Sequence, residues 1–126
     1  MNNQEIFDLV KSHLLTQKKP AQIPGGNRCQ YRLGELKCAV GALIPDSEYV
    51  PEMEFASMSS LTDIDFPGRT EETKKAAKLL TDLFDKLNIS KDSYPLLKAL
   101  QDIHDYSSPH YWENKLIYLA KKFDLR

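Results

Sequence analysis

The side chains in this chain that could attack a substrate or hold a metal are few. They are Cys29 and Cys38, the histidines, and above all the pair His104-Asp105. A cysteine becomes a nucleophile when a base takes its proton or when a helix start lowers its pKa. Cys38 sits at the end of a strand or the start of a helix. His104 lies far along the chain, on a helix that could pack against it. Cys38, His104 and Asp105 are therefore the candidate catalytic set of a small Cys–His hydrolase or transferase. Two features oppose that assignment. Neighbouring residues on a helix diverge by roughly 100°, so Asp105 should orient His104 poorly unless the helix ends there. His104 also falls on an apolar stripe, where a hydrogen-bonded core histidine is the commoner outcome.

Metal chemistry finds less support. Structural zinc sites pair cysteines about two to four residues apart, whereas eight residues separate Cys29 from Cys38. A helix break is expected between His104 and His110. We expect no metal site, and both cysteines as small core residues, since free cysteine is among the most buried types. Gly25-Gly26 and Gly41 form no phosphate loop or dinucleotide fingerprint, so no cofactor is expected. Glu52 and Glu54 lack EF-hand spacing.

Charge is segregated behind a net value of −1. Between Lys18 and Pro45 stand five cations, Lys18, Lys19, Arg28, Arg32 and Lys37, against Glu35 alone. Between Asp46 and Glu72 stand eight acids against Arg69. Such runs are usually solvated faces, or faces that meet within the fold. The sharper expectation is that Arg28, Arg32 and Lys37 contact an acidic surface of another protein. Nucleic acid is disfavoured by a pI near 6.3 and by the lack of a dense basic stretch with aromatics interleaved.

The elements that must position these residues are mostly helical. Asn2-x-x-Glu5 reads as a capping box ahead of Ile6, Val10 and Leu14, and that helix should stop before Pro20. Cys29, Tyr31 and Leu33, then Leu36, Cys38 and Val40, alternate with polar residues around Gly34-Glu35. This predicts a II′ hairpin in which Leu33 faces Leu36, Arg32 faces Lys37, Tyr31 faces Cys38 and Cys29 faces Val40. The competing pattern starts a short helix at Cys38 and runs it through Ile44. Residues 45–70 read as irregular, with at most a short helix around Met58 to Ile64. Thr70 should cap a helix carrying Ala76, Leu79, Leu80, Leu83, Phe84 and Leu87, with Asn88 as its stop. A third long stripe, Leu96, Leu97, Leu100, Ile103 and His104, precedes the break at Ser107-Ser108-Pro109. The last helix then carries Trp112, Leu116, Leu119, Ala120 and Phe123. The expected fold is a mainly helical α+β domain, about four helices with one two-stranded hairpin, over residues 1–126 as a single domain. No apolar run approaches the ~20 residues of a membrane span. The start of the chain shows no secretory pattern, and two cysteines make no disulfide scaffold. These features point to the cytoplasm, with signal-less export as the other route.

Tyr31-Arg32, Leu36-Lys37-Cys38-Ala39-Val40-Gly41, Leu43-Ile44-Pro45-Asp46, Glu48-Tyr49 and Pro51-Glu52-Met53-Glu54, followed by Leu100-Gln101-Asp102-Ile103-His104-Asp105 and Trp112, form a recurring string. It resembles a group of small, largely uncharacterised proteins of bacterial and phage genomes. The resemblance spans most of the chain and implies no named activity. Many of those proteins carry a second cysteine where this chain has Ala42, a departure that weakens any dithiol or metal role. The favoured function is a non-catalytic protein-binding or regulatory module, of inhibitor or adaptor type, in a bacterial or phage system. The Cys–His enzyme is the alternative.

Overall fold

The computed structural model describes residues 1–24, 29–62 and 69–126. Within them the chain is α+β, with five α-helices and one antiparallel hairpin: α1 (Asn3–Gln17), β1 (Arg32–Leu33), β2 (Leu36–Lys37), α2 (Met58–Thr62), α3 (Glu71–Lys86), α4 (Tyr94–Tyr106) and α5 (Trp112–Lys122). Single 3-10 turns at Val40–Leu43, Pro51–Phe55, Lys91–Ser93 and Pro109–Tyr111 join them.

Local chemistry sets the helix boundaries. In α1 the Glu5 amide donates to Asn2 Oδ1 at 2.8 Å, and the Asn2 amide donates to Glu5 Oε1 at 3.0 Å. Both free amides of that end are thus satisfied by a reciprocal box. Lys18 then turns left-handed at φ 56° and donates its N–H to the Leu14 carbonyl, ending the helix before Pro20. Thr70 accepts from the Thr73 amide to start α3, and Asn88, at φ 60°, follows its end. Ser93 precedes α4 but does not cap it; its hydroxyl donates to Asn3 Oδ1 instead.

Burial follows the apolar stripes. Helix α4 lies in the middle, packed on α1, α2 and α5, and contributes Leu96, Leu97 and Leu100 to the core. Each such leucine contributes roughly 1.5–3 kcal/mol by leaving water. Trp112 and Leu116 of α5, Ile6, Phe7 and Val10 of α1, and Leu80 and Phe84 of α3 close around it. Leu79 departs from the expected stripe and is partly exposed.

The hairpin has the expected register at its tip, Arg32 opposite Lys37 and Leu33 opposite Leu36. Gly34 stands at φ 61° while Glu35 keeps a negative φ, as a II′ turn requires. Further out the expectation fails. Cys29 does not face Val40; it forms a lone antiparallel bridge with Gln22, and the Gln30 amide donates to the Ala21 carbonyl. The second arm leaves the ladder after Cys38, whose amide reaches the Tyr31 carbonyl at 3.2 Å, and coils into the 3-10 turn Val40–Leu43. Gly41 allows that change of direction, because the Tyr31 backbone occupies the space where a β-carbon would stand.

Candidate functional site

The chemistry-bearing residues gather where α4 meets the segments before and after the hairpin. Asp105 is the hub. Its Oδ1 accepts from His104 Nδ1 at 2.7 Å and from Gln101 Nε2 at 2.7 Å, and the carboxylate also takes a hydrogen bond from the Cys29 thiol. Gln101 and Asp105 are one helical turn apart, so they stack on the same face. Gln101 Oε1 in turn accepts from the Val40 amide at 3.0 Å, which joins α4 to the 3-10 turn.

The close His104–Asp105 contact corrects the expectation that adjacency would keep them apart. An aspartate carboxylate is short, and Nδ1 is the ring nitrogen nearer the backbone. The two can therefore meet along the helix surface even though their β-carbons diverge. The partner cysteine is also corrected. The ligand-capable atoms of Cys29, His104 and Asp105 all lie within 4.8 Å of one another, and Cys38 is not part of that cluster.

Hydrogen bonding decides what the cluster can do. The His104 side chain is fully buried and stacks on Trp112, ring centroids 5.6 Å apart. Its Nε2 lies 2.9 Å from the Ala21 amide, which can only donate. Nε2 therefore offers its lone pair, and the ring proton sits on Nδ1, donated to Asp105. A base would have to accept a proton at Nε2, where the Ala21 amide already sits. A metal at Nδ1 would push the ring proton to Nε2, setting two donors against each other. The residues present therefore do not fit a metal, and they give His104 a structural role that ties residue 21 to α4.

Both thiols are held protonated. Burial, the Asp105 charge and the bond to Asp105 push Cys29 up to about 12. Cys38 is completely buried, and its Sγ accepts from the Gly41 amide at 3.2 Å. That amide lowers its pKa, as a helix start should, but desolvation dominates and the net shift is upward. In the folded protein at pH 8, Cys29 should react with iodoacetamide some tens of fold more slowly than a free thiol, because little thiolate is present. Cys38 should react only as the protein opens. Mass spectrometry of timed samples measures both rates, and alkylation of either residue faster than glutathione would restore the nucleophile.

The cluster borders a half-open pocket of about 300 Å³ whose walls include Cys29, Gln101, Asp105, Phe55 and Ser57. Asp105 also borders a second hollow of about 540 Å³ that runs past Pro20, Gln22 and Tyr106.

The basic hairpin face is also resolved in two of its three members. Arg32 and Lys37 lie opposite each other as expected, but the acid between them comes from the same chain. Asp46 sits 2.7 Å from Arg32 Nη1 and 3.4 Å from Lys37 Nζ. Those bonds, with Arg32 first, hold its carboxyl below the usual carboxylate range. Arg32 Nη2 donates to the Ile44 carbonyl, and the guanidinium lies over the Tyr49 ring. Glu54 accepts from the Tyr31 and Arg32 amides and from Tyr49 Oη. Part of the segregated charge thus meets within the fold, and the like-charge pair is compensated without a partner. Arg28 lies outside the described residues.

Sequence inspection weighed Cys29 as a metal ligand and a core residue but did not pair it with His104-Asp105, and it gave no role to Gln101 or the outer face of α5. The signals were present in the spacing: Gln101 stands four before Asp105, and Tyr111, Lys115, Tyr118 and Lys122 recur at helical intervals. No helix among the described residues is long and apolar enough to cross a membrane. No family model, curated protein or solved structure matches the chain.

Proposed function

We propose that the protein is a non-catalytic protein-binding module, of inhibitor or adaptor type, acting in the cytoplasm of a bacterial or phage system. The observation that carries this reading is the set of large side chains left outside between the end of α4 and α5. Tyr106 is 84% exposed, Tyr118 70% and Tyr111 54%, while Ile117 is also exposed. Tyrosine gains more than most residues from burial against a partner, since its ring is large and its hydroxyl can pair at the rim. The bonding of His104, Cys29 and Cys38 supports the non-catalytic half, because each is engaged in holding the fold. Two unpaired cysteines support a reducing compartment. The bacterial or phage setting rests on the sequence resemblance.

Photo-crosslinking in the source cells tests the reading. Benzoylphenylalanine placed at Tyr106 or Tyr118 should yield a discrete adduct with one protein, and the same probe at Lys78 on α3 should not. Equal adducts at all three positions, or none at Tyr106 and Tyr118, would refute it.

A further inference from the structure

We propose that the half-open pocket beside Asp105 binds an organic ammonium group carried on an apolar body. This goes beyond the binding-module reading and stands whether or not that reading holds. Four acids among the described residues are half-buried: Glu48, Glu54, Asp102 and Asp105. Lys86 neutralises Glu48, and Lys98 neutralises Asp102. Glu54 accepts two backbone amides and the Tyr49 hydroxyl. Asp105 stands apart. Its side chain is 24% exposed, and the groups that bond it are a ring N–H, a side-chain amide and a thiol, none of which carries charge. The ring is uncharged because Nε2 gives its lone pair to the Ala21 amide. A charge drawn this far out of water is normally matched by a counter-charge.

The bonding capacity left on Asp105 sets the chemistry of the ligand. A carboxylate offers about four acceptor sites. His104 and Gln101 both take Oδ1, and the single proton of the Cys29 thiol takes one site more, so at least one remains on Oδ2. An ammonium needs only one such point, whereas a guanidinium fork needs two oxygens side by side. The pocket holds about 300 Å³, near the lower end of small-ligand sites. No lysine or arginine among the described residues stands in its wall, and Glu54 adds a second carboxylate there. Phe55, 54% exposed in the same wall, offers a ring face to the cation and its apolar body. Neighbouring groups feel the negative field. After burial, the Asp105 charge is the next cause that keeps Cys29 protonated, and Glu54 and Asp105 add to the burial that pushes the Tyr31 phenol up. An ammonium of this kind arrives as a free amine or as the lysine side chain of another protein.

The test titrates the full chain with phenethylammonium, 2-phenylethanol, phenethylguanidinium and a capped leucine–lysine–leucine tripeptide, read by backbone amide resonances. The ammonium should shift residues 29–31, 54–60 and 101–105, bind at least about tenfold more tightly than the alcohol, and weaken as salt rises. Asp105→Asn keeps an acceptor oxygen for His104 and Gln101 and should weaken binding about tenfold or more. Phe55→Ala, at an exposed position where folding is preserved, should weaken it about threefold or more. Glu113→Gln on α5 should leave it unchanged. Tighter binding of the tripeptide than of phenethylammonium would assign the pocket to a lysine of another protein, and the reverse order would assign it to a free amine. Equal binding of the alcohol, tighter binding of the guanidinium, or full affinity in Phe55→Ala would overturn the proposal. So would shifts confined to residues 22 and 106–108 in the neighbouring hollow, or no shift with any of the cations.

Discussion

Gly41→Ala should cost roughly 3 kcal/mol or more, or prevent folding, although it adds a single methyl group. A β-carbon at that position would lie 2.1 Å from the Tyr31 carbonyl oxygen and 2.9 Å from its carbonyl carbon. The obstacle is backbone, so no rotamer change relieves it. Nor can the strand retreat easily. The Tyr31 amide is bonded to Glu54, its carbonyl to the Cys38 amide and its hydroxyl to the Ala56 carbonyl. Gly34→Ala is the control. It meets open space and pays only for its left-handed φ of 61°, about 1–2 kcal/mol. Urea denaturation of both variants measures the difference. A Gly41→Ala protein as stable as wild type would mean that the close approach of the two segments is not as described.

His104→Ala should be the second large effect, roughly 3–4 kcal/mol, from a lost ring beside Trp112 and a buried amide left without an acceptor. The Ala21 amide loses its bond to Nε2, and Asp105 loses a donor while it remains beside the core. His104→Gln should recover part of the loss, since an amide oxygen can replace Nε2 as acceptor. The same variant separates the structural from the catalytic role. If His104 activated a cysteine, its removal would slow alkylation of Cys29. If it anchors the Ala21 backbone beside the Gln22–Cys29 bridge to α4, its removal loosens the backbone around Cys29 and alkylation speeds up. We expect acceleration. A slower reaction in a variant shown to be folded would reverse the assignment.

The long helices were legible because each carries its own evidence. Stripes at intervals of three and four predicted α1, α3, α4 and α5, and the caps at Asn2 and Thr70 need only neighbours within three residues. The hairpin was legible for the same reason as far as Gly34-Glu35 and two residues on either side. It was misread beyond Tyr31. Continued alternation in Leu36, Cys38 and Val40 is compatible with both a strand and a short helix, and Gly41 tipped the choice through a contact with Tyr31 ten residues earlier.

Residue types and spacing by themselves favoured a core histidine at His104 over a catalytic one, set Arg32 and Lys37 side by side, and gave most of the faces that the long helices bury. These follow from periodicity, which every chain segment carries locally. The tertiary structure decided the rest: that Cys29 rather than Cys38 meets Asp105, that the Ala21 amide sets the proton on His104 Nδ1, and that Asp46 compensates the hairpin cations. Each depends on groups that segment packing brings together, some of them more than seventy residues apart. The difference is physical: a helix stripe repeats within one turn, whereas the tautomer of a buried imidazole depends on whichever donor the fold brings to its far nitrogen.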